Sequence, residues 1–101
     1  MAFNKLTPAE AERLALLAEE MGEAIQSVGK ILRHGYESYH PAHPTGPNNR
    51  QSLERELGDV FAAVNLMFDA QDLDVIKVKT AIIYKLKRVK QYLHHQKKGK
   101  K

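Results

Sequence analysis

The chain has no cysteine and no tryptophan among its 101 residues. Without thiols it forms neither disulfides nor thiolate metal sites, so oxygen and imidazole are its metal donors. No apolar run approaches the roughly 20 residues that a membrane-spanning helix needs. The β-branched alternation of strands is missing, and nothing repeats at the period of a solenoid. The opening Met1-Ala2-Phe3-Asn4-Lys5-Leu6-Thr7-Pro8 lacks the pattern of a signal peptide, since acids follow almost at once. These absences lead to the expectation of a cytoplasmic, single-domain protein without membrane contact. At this length its core is small, and oligomerisation would help to complete it.

Acids are missing from one part of the chain. Residues 75–101 hold ten Lys or Arg and no acid, whereas residues 1–74 hold six basic and twelve acidic residues. The balances of +10 and −6 sum to the net charge of +4. A basic last helix on an acidic body has two readings. It binds a polyanion such as nucleic acid, or it supplies cations to a phosphate-bearing ligand held by the acidic part. The final Lys97-Lys98-Gly99-Lys100-Lys101 reads as a solvated tail.

What the chain does have is helical periodicity. The spacing predicts helices over 8–34, 50–69 and 73–95, joined by a loop over 35–49 and followed by a basic tail over 96–101. The first opens with Thr7 as N-cap, Pro8 at the first helical position and Glu10 at the third. Its apolar stripe is Leu14, Leu17, Met21, Ala24, Ile25, Val28, Ile31 and Leu32, and Gly35 is its stop. The loop contains three prolines and two glycines, which forbid a regular helix. The second helix carries Leu53, Leu57, Val60, Phe61, Val64 and Phe68. Asp72 is the expected cap of the third, whose stripe is Val75, Val78, Ile82, Leu86, Val89 and Leu93. Three such helices cannot bury their apolar faces alone. Tyr36, Tyr39, Met67 and Phe68 add further apolar surface. The expected architecture is all-α, of the four-helix-bundle type, completed by association into a homodimer or homotetramer.

One short word occurs twice. Glu20-Met21-Gly22-Glu23-Ala24-Ile25 and Glu56-Leu57-Gly58-Asp59-Val60-Phe61 both read acid, apolar, glycine, acid, apolar, apolar. Spacing of three places both acids of each word on one helix face. With Leu17 and Leu57 as the centres of the apolar faces, both acidic pairs border the buried stripe. Two such helices packed together bring four carboxylates to one place, where a hard divalent cation, magnesium above all, relieves their repulsion. A glycine costs about 1 kcal/mol against alanine inside a helix, so one in each word suggests close backbone approach. Taken singly, each acidic pair is also what a solvated helix surface carries. The repetition favours a site.

The paired motif Glu20-x-x-Glu23 and Glu56-x-x-Asp59, in an all-helical chain of this size, resembles the MazG-like superfamily of all-α nucleotide pyrophosphohydrolases. This group includes dimeric dUTPases, dCTP pyrophosphatases and phosphoribosyl-ATP pyrophosphohydrolase. The likeness extends over roughly residues 10–95, through Leu17-Ala18-Glu19-Glu20-Met21-Gly22-Glu23-Ala24 and Leu53-Glu54-Arg55-Glu56-Leu57-Gly58-Asp59-Val60. The 32 residues between Glu23 and Glu56 are more than is common in the family, and the Pro-rich loop accounts for the excess. The resemblance implies hydrolysis of a nucleoside triphosphate to the monophosphate and pyrophosphate, with Mg²⁺ (Mn²⁺ as a substitute) held by Glu20, Glu23, Glu56 and Asp59 as catalytic residues. It also implies a role in cleaning the nucleotide pool.

Candidates for substrate binding are the cations nearest those acids. Lys30 and His34 continue the flank of Glu20 and Glu23 through Ser27, and Arg50 opens the second helix before Glu56. Lys79 and Lys85 flank the stripe of the third helix, within reach of a phosphate if that helix packs on the others. For the base, Leu16, Ser27, Phe61 and Tyr36 or Tyr39 are candidate wall residues. His40, His43, His94 and His95 have no acidic partner at ligand spacing and are expected in solvent. A non-catalytic helical module that senses nucleotides or binds nucleic acid is the alternative. Nucleic acid is the less expected partner, because the acidic words repel a phosphate backbone.

Overall fold

A computed structural model describes residues 3–96. It contains α1 (Pro8–His34), α2 (Asn49–Asp69), α3 (Val75–Val89) and a single 3₁₀ turn, Lys90–Tyr92. The described residues contain no strand, only an isolated antiparallel bridge between Tyr39 and Asn48. The tail expected over 96–101 lies outside the described residues apart from Gln96.

Each helix starts where a side chain can satisfy its free N–H groups. At α1 the Glu10 N–H donates to Thr7 Oγ1 (3.1 Å) and the Thr7 N–H donates to Glu10 Oε1 (2.8 Å), a complete capping box. The same box, built from Asn48 and Gln51, opens α2. Gly35, with φ of 87°, ends α1 and its N–H donates to Ile31 O. Asp74, not Asp72, caps α3 by accepting from the N–H groups of Ile76 and Lys77. Tertiary demand takes Asp72 elsewhere. It receives both arms of the Arg13 guanidinium, Nε at 2.6 Å and Nη2 at 3.0 Å. This fork ties the start of α1 to the turn after α2, so the two helices run antiparallel. The α2–α3 turn itself closes through Gln71, held at φ of 63°.

The α1–α2 seam is narrower than the expected stripes and rotated from them. Ala24, Ser27, Val60, Ala63 and Met67 are its buried residues, with Ala63 only 1% exposed. Their spacing of three and four extends to Glu20 on α1 and to Glu56 on α2. The first acid of each word therefore lies on the packed stripe itself, rather than beside it. Met67, expected as spare apolar surface, is core. The expected stripe residues Leu14, Met21, Ile25, Val28 and Leu32 of α1, and Leu57 and Phe61 of α2, are exposed instead. Gly22 and Gly58 do not mediate close approach either: a Cβ at either meets nothing within 4 Å. Alanine and serine bring the backbones together.

α3 makes almost no contact with this hairpin and buries none of its residues. The chain is correspondingly extended, 48 × 44 × 22 Å with a radius of gyration of 17.5 Å, against about 13 Å for a compact fold of this length. α3 also stops at Val89, short of the expected 95.

The Arg13–Asp72 fork makes a testable contribution. Hydrogen bonding from Arg13 holds the Asp72 carboxyl below its ordinary value of 3.8. A lowered folded-state pKa stabilises the fold above that ordinary value, and the stabilisation is lost as pH falls through the folded pKa. Asp72→Asn should lower the thermal midpoint at pH 7. The gap to the wild type should close on acidification below 3.8, as followed by circular dichroism.

Candidate metal centre and the adjoining loop cavity

The antiparallel seam sets Glu20 and Glu23 opposite Glu56 and Asp59. One carboxylate oxygen from each of the four lies within 4.8 Å of the others. Glu20, Glu23 and Glu56 are half-buried and Asp59 is exposed, so the cluster sits at the edge of the seam with one side open to solvent. The helix spacing explains the convergence. Glu20 and Glu56 descend from the buried stripes, and the acid three residues on from each lies one turn further along.

Among the described residues the cluster has a single ion-pair partner, and it is a weak one. Glu20 Oε1 is shielded from solvent and has no hydrogen-bond partner. Burial, reinforced by the charges of Glu23 and Asp59, pushes the Glu20 carboxyl up from its ordinary value. That partner is Arg55, with Nη2 3.6 Å from Glu56 Oε2. Its side chain is 64% exposed, and solvent screening makes such a pair weak. An orphaned buried carboxylate oxygen among three further carboxylates fits a cation. The all-oxygen donor set suits hard ions such as Mg²⁺ or Mn²⁺ rather than Zn²⁺.

The expected substrate-binding residues fall into three groups. Lys30 and His34 lie beyond Ser27 on α1 and line a cavity of about 600 Å³ formed with the 35–49 loop. Arg50 is engaged in holding that loop. Its Nη2 donates to Glu37 Oε2 (2.7 Å), and its guanidinium lies 4.3 Å from the centre of the Tyr36 ring. Lys79 and Lys85 are exposed on α3, which does not bring them to the acids of its own chain. Of the residues expected around a base, Tyr39 lines the loop cavity, Ser27 is packed in the seam and Phe61 is 62% exposed. His40 and His43 are exposed, as expected, and they also line the open side of the cavity, with ring centres 5.2 Å apart. Their Pro-rich context in the sequence offered no periodicity that would have revealed this.

A bound divalent cation should be visible as stability. At a hundredfold excess over its Kd an ion contributes about 2.7 kcal/mol, which for a domain of this size is roughly ten degrees or more in the midpoint. Millimolar Mg²⁺ or Mn²⁺ should therefore raise the thermal midpoint of the wild type. Glu20→Ala and Asp59→Ala should lose most of that rise. A wild-type midpoint indifferent to both ions would remove the metal assignment.

No curated protein and no solved structure matches the chain. The MazG nucleotide pyrophosphohydrolase domain matches residues 9–94, from the first turn of α1 to beyond the 3₁₀ turn, and includes all four acids. With that match spanning most of its length, the chain belongs to the MazG nucleotide pyrophosphohydrolase domain family.

Proposed function

We propose that this protein hydrolyses nucleoside triphosphates to the monophosphate and pyrophosphate, with Mg²⁺ held by Glu20, Glu23, Glu56 and Asp59. The observation that carries this reading is the orphaned Glu20 oxygen within a four-carboxylate cluster, in a chain of this family. When bound, the ion supplies Lewis acidity toward phosphoryl oxygens and lowers the pKa of a coordinated water. The protein's own part is positional. The capped α1–α2 hairpin presents the carboxylates from two rigid helices, and the open side of the cluster at Asp59 admits the phosphate chain. Water attacks the α-phosphorus and the bond to the bridging oxygen breaks, releasing pyrophosphate. Lys30 lies on the same stripe of α1 as the acids and takes the charge of the phosphate nearest the sugar. Common or modified deoxynucleoside triphosphates are the proposed substrates, as suits a pool-cleaning role. Phosphoribosyl-ATP is disfavoured, since the hairpin carries no second basic cluster beside the acids.

The active species in this reading is a homodimer or homotetramer. Two complementary surfaces support it. The hairpin leaves Met21, Ile25, Val28, Leu32 and Phe61 exposed, and α3 leaves Ile76, Ile82, Ile83 and Leu86 exposed. The first surface belongs to the acidic body and the second to the basic segment. Apolar burial gives the association strength and opposite charge orients it. Lys79 and Lys85 reach a phosphate in this reading only from a second copy, whose α3 docks on the first copy's hairpin.

Pyrophosphate release from the eight common nucleotides with Mg²⁺ tests the reaction, and distinguishes it from a non-catalytic nucleotide sensor or a nucleic-acid-binding module. Glu23→Ala or Asp59→Ala should lower turnover on the order of a thousandfold, since a catalytic ion contributes several kcal/mol and each 1.36 kcal/mol is tenfold. Near wild-type turnover in either variant would count against the site. Sedimentation at micromolar concentration should show a dimer or tetramer; a monodisperse monomer would rule out the assembly.

A further inference from the structure

The cavity under the 35–49 loop lies in line with the acidic cluster. On α1 the residues Glu23, Ser27, Lys30 and His34 follow one another at spacings of four, three and four. On α2 the residues Glu56, Ser52 and Asn49 run back along the same seam at four and three. At 1.5 Å per residue, Lys30 lies about 10 Å along α1 from Glu23, and Ser52 about 6 Å along α2 from Glu56. Those offsets are comparable with a triphosphate chain. Lys30, His34, Asn49 and Ser52 all line the cavity.

We infer that this loop cavity is the nucleoside pocket, which receives the base and sugar of a nucleotide whose phosphates lie at the four acids. The inference rests on the pyrophosphohydrolase reading and assigns the substrate's organic half to the loop that lengthens the spacing between the two acidic words.

Three observations carry it. The first is size and charge. About 600 Å³ is within the usual range of small-molecule sites, and no acid lines this cavity. The one acid of the loop, Glu37, is held by Arg50 and by the Asn48 amide. A neutral heterocycle therefore meets no repulsion here, while Lys30 faces the phosphates.

The second is order. The loop is fastened to the start of α2 by Asn49 N–H to Ser38 O (2.8 Å), Arg50 N–H to Tyr36 O (2.9 Å) and Asn49 Nδ2 to Gly35 O (3.0 Å). Turns closed by His43 N–H to His40 O and Gly46 N–H to His43 O shape its tip. Gly46 sits tightly in its turn: a Cβ there would come to 3.2 Å from His43 O and 3.3 Å from His43 Cβ. The pocket is built before any ligand arrives, which lowers the ordering cost of binding.

The third is chemistry. His40 Nδ1 accepts from the Ala42 N–H (3.1 Å), which in the neutral ring leaves the proton on Nε2. That N–H is a donor for the edge of a base. The rings of Tyr39, His40 and His43 offer faces for stacking, and the Ser52 and Thr45 hydroxyls serve a sugar. An aromatic, acid-free, donor-bearing cavity next to a cation-binding cluster matches the two halves of a nucleotide.

The experiment is a titration of the full chain with the common nucleoside monophosphates, without divalent cation, followed by ¹H–¹⁵N spectra. It is paired with steady-state kinetics on the corresponding triphosphates. The variants are His40→Ala/His43→Ala, which removes the stacking and donor groups, and Ala42→Trp, which fills the cavity from an exposed loop position. The expected result is shifts concentrated in residues 30–52 and monophosphate binding weakened at least tenfold in both variants. KM should rise about tenfold with kcat within twofold, and the Mg²⁺-induced rise in thermal midpoint should be unchanged. Monophosphate binding in the loop without any triphosphate hydrolysis would overturn the reaction while keeping the pocket. Hydrolysis with KM unchanged in both variants, or shifts lying outside the loop, would overturn the pocket while keeping the reaction.

Discussion

Four carboxylates crowded onto the seam of a two-helix hairpin constrain everything else in this protein. Like charges at that separation, one of them with an oxygen cut off from water, oppose the packing that assembles them. The hairpin withstands this because its seam is made of small side chains at Ala24, Ser27 and Ala63, and is anchored at the far end by the Arg13–Asp72 fork. The stress is therefore localised to one site. A cation that relieves it adds to the stability of the fold.

The same seam orders the surroundings of the site. The stripes of α1 and α2 that carry the acids continue past Ser27 and Ser52 into the loop cavity, so the acidic cluster and the acid-free cavity lie along the same two helices. Arg50, whose position near Glu56 suggests a phosphate ligand, instead neutralises Glu37 and stacks on Tyr36. That contact removes the loop's acid from the cavity and stiffens the loop against α2.

α3 shows the limit of a single chain. Its stripe of Val75, Val78, Ile82, Leu86 and Val89 has the period of a buried helix, yet among the described residues the helix makes almost no contact with the hairpin and buries none of its side chains. The apolar residues of the hairpin that lie off the seam are in the same condition. Periodicity states that a face will be buried but does not state against what. In a 101-residue chain a second copy is an available answer.

The sequence by itself determined the helices, their capping at Thr7 and Gly35, and the convergence of Glu20, Glu23, Glu56 and Asp59. Helix period and local hydrogen bonding act over a few residues, and a repeated acidic word places its charges by that period alone. Only the tertiary structure decided how the seam is rotated, keeping Ala24 and Val60 of the expected stripes but taking small Ser27 and Ala63 in place of bulky Met21 and Leu57, because that choice depends on how closely two backbones approach. It also took Asp72 from capping to pairing with Arg13, left Gly22 and Gly58 open, and turned His40 and His43 into the walls of a cavity. Each of those outcomes depends on partners distant in the chain, and spacing along the sequence does not record them.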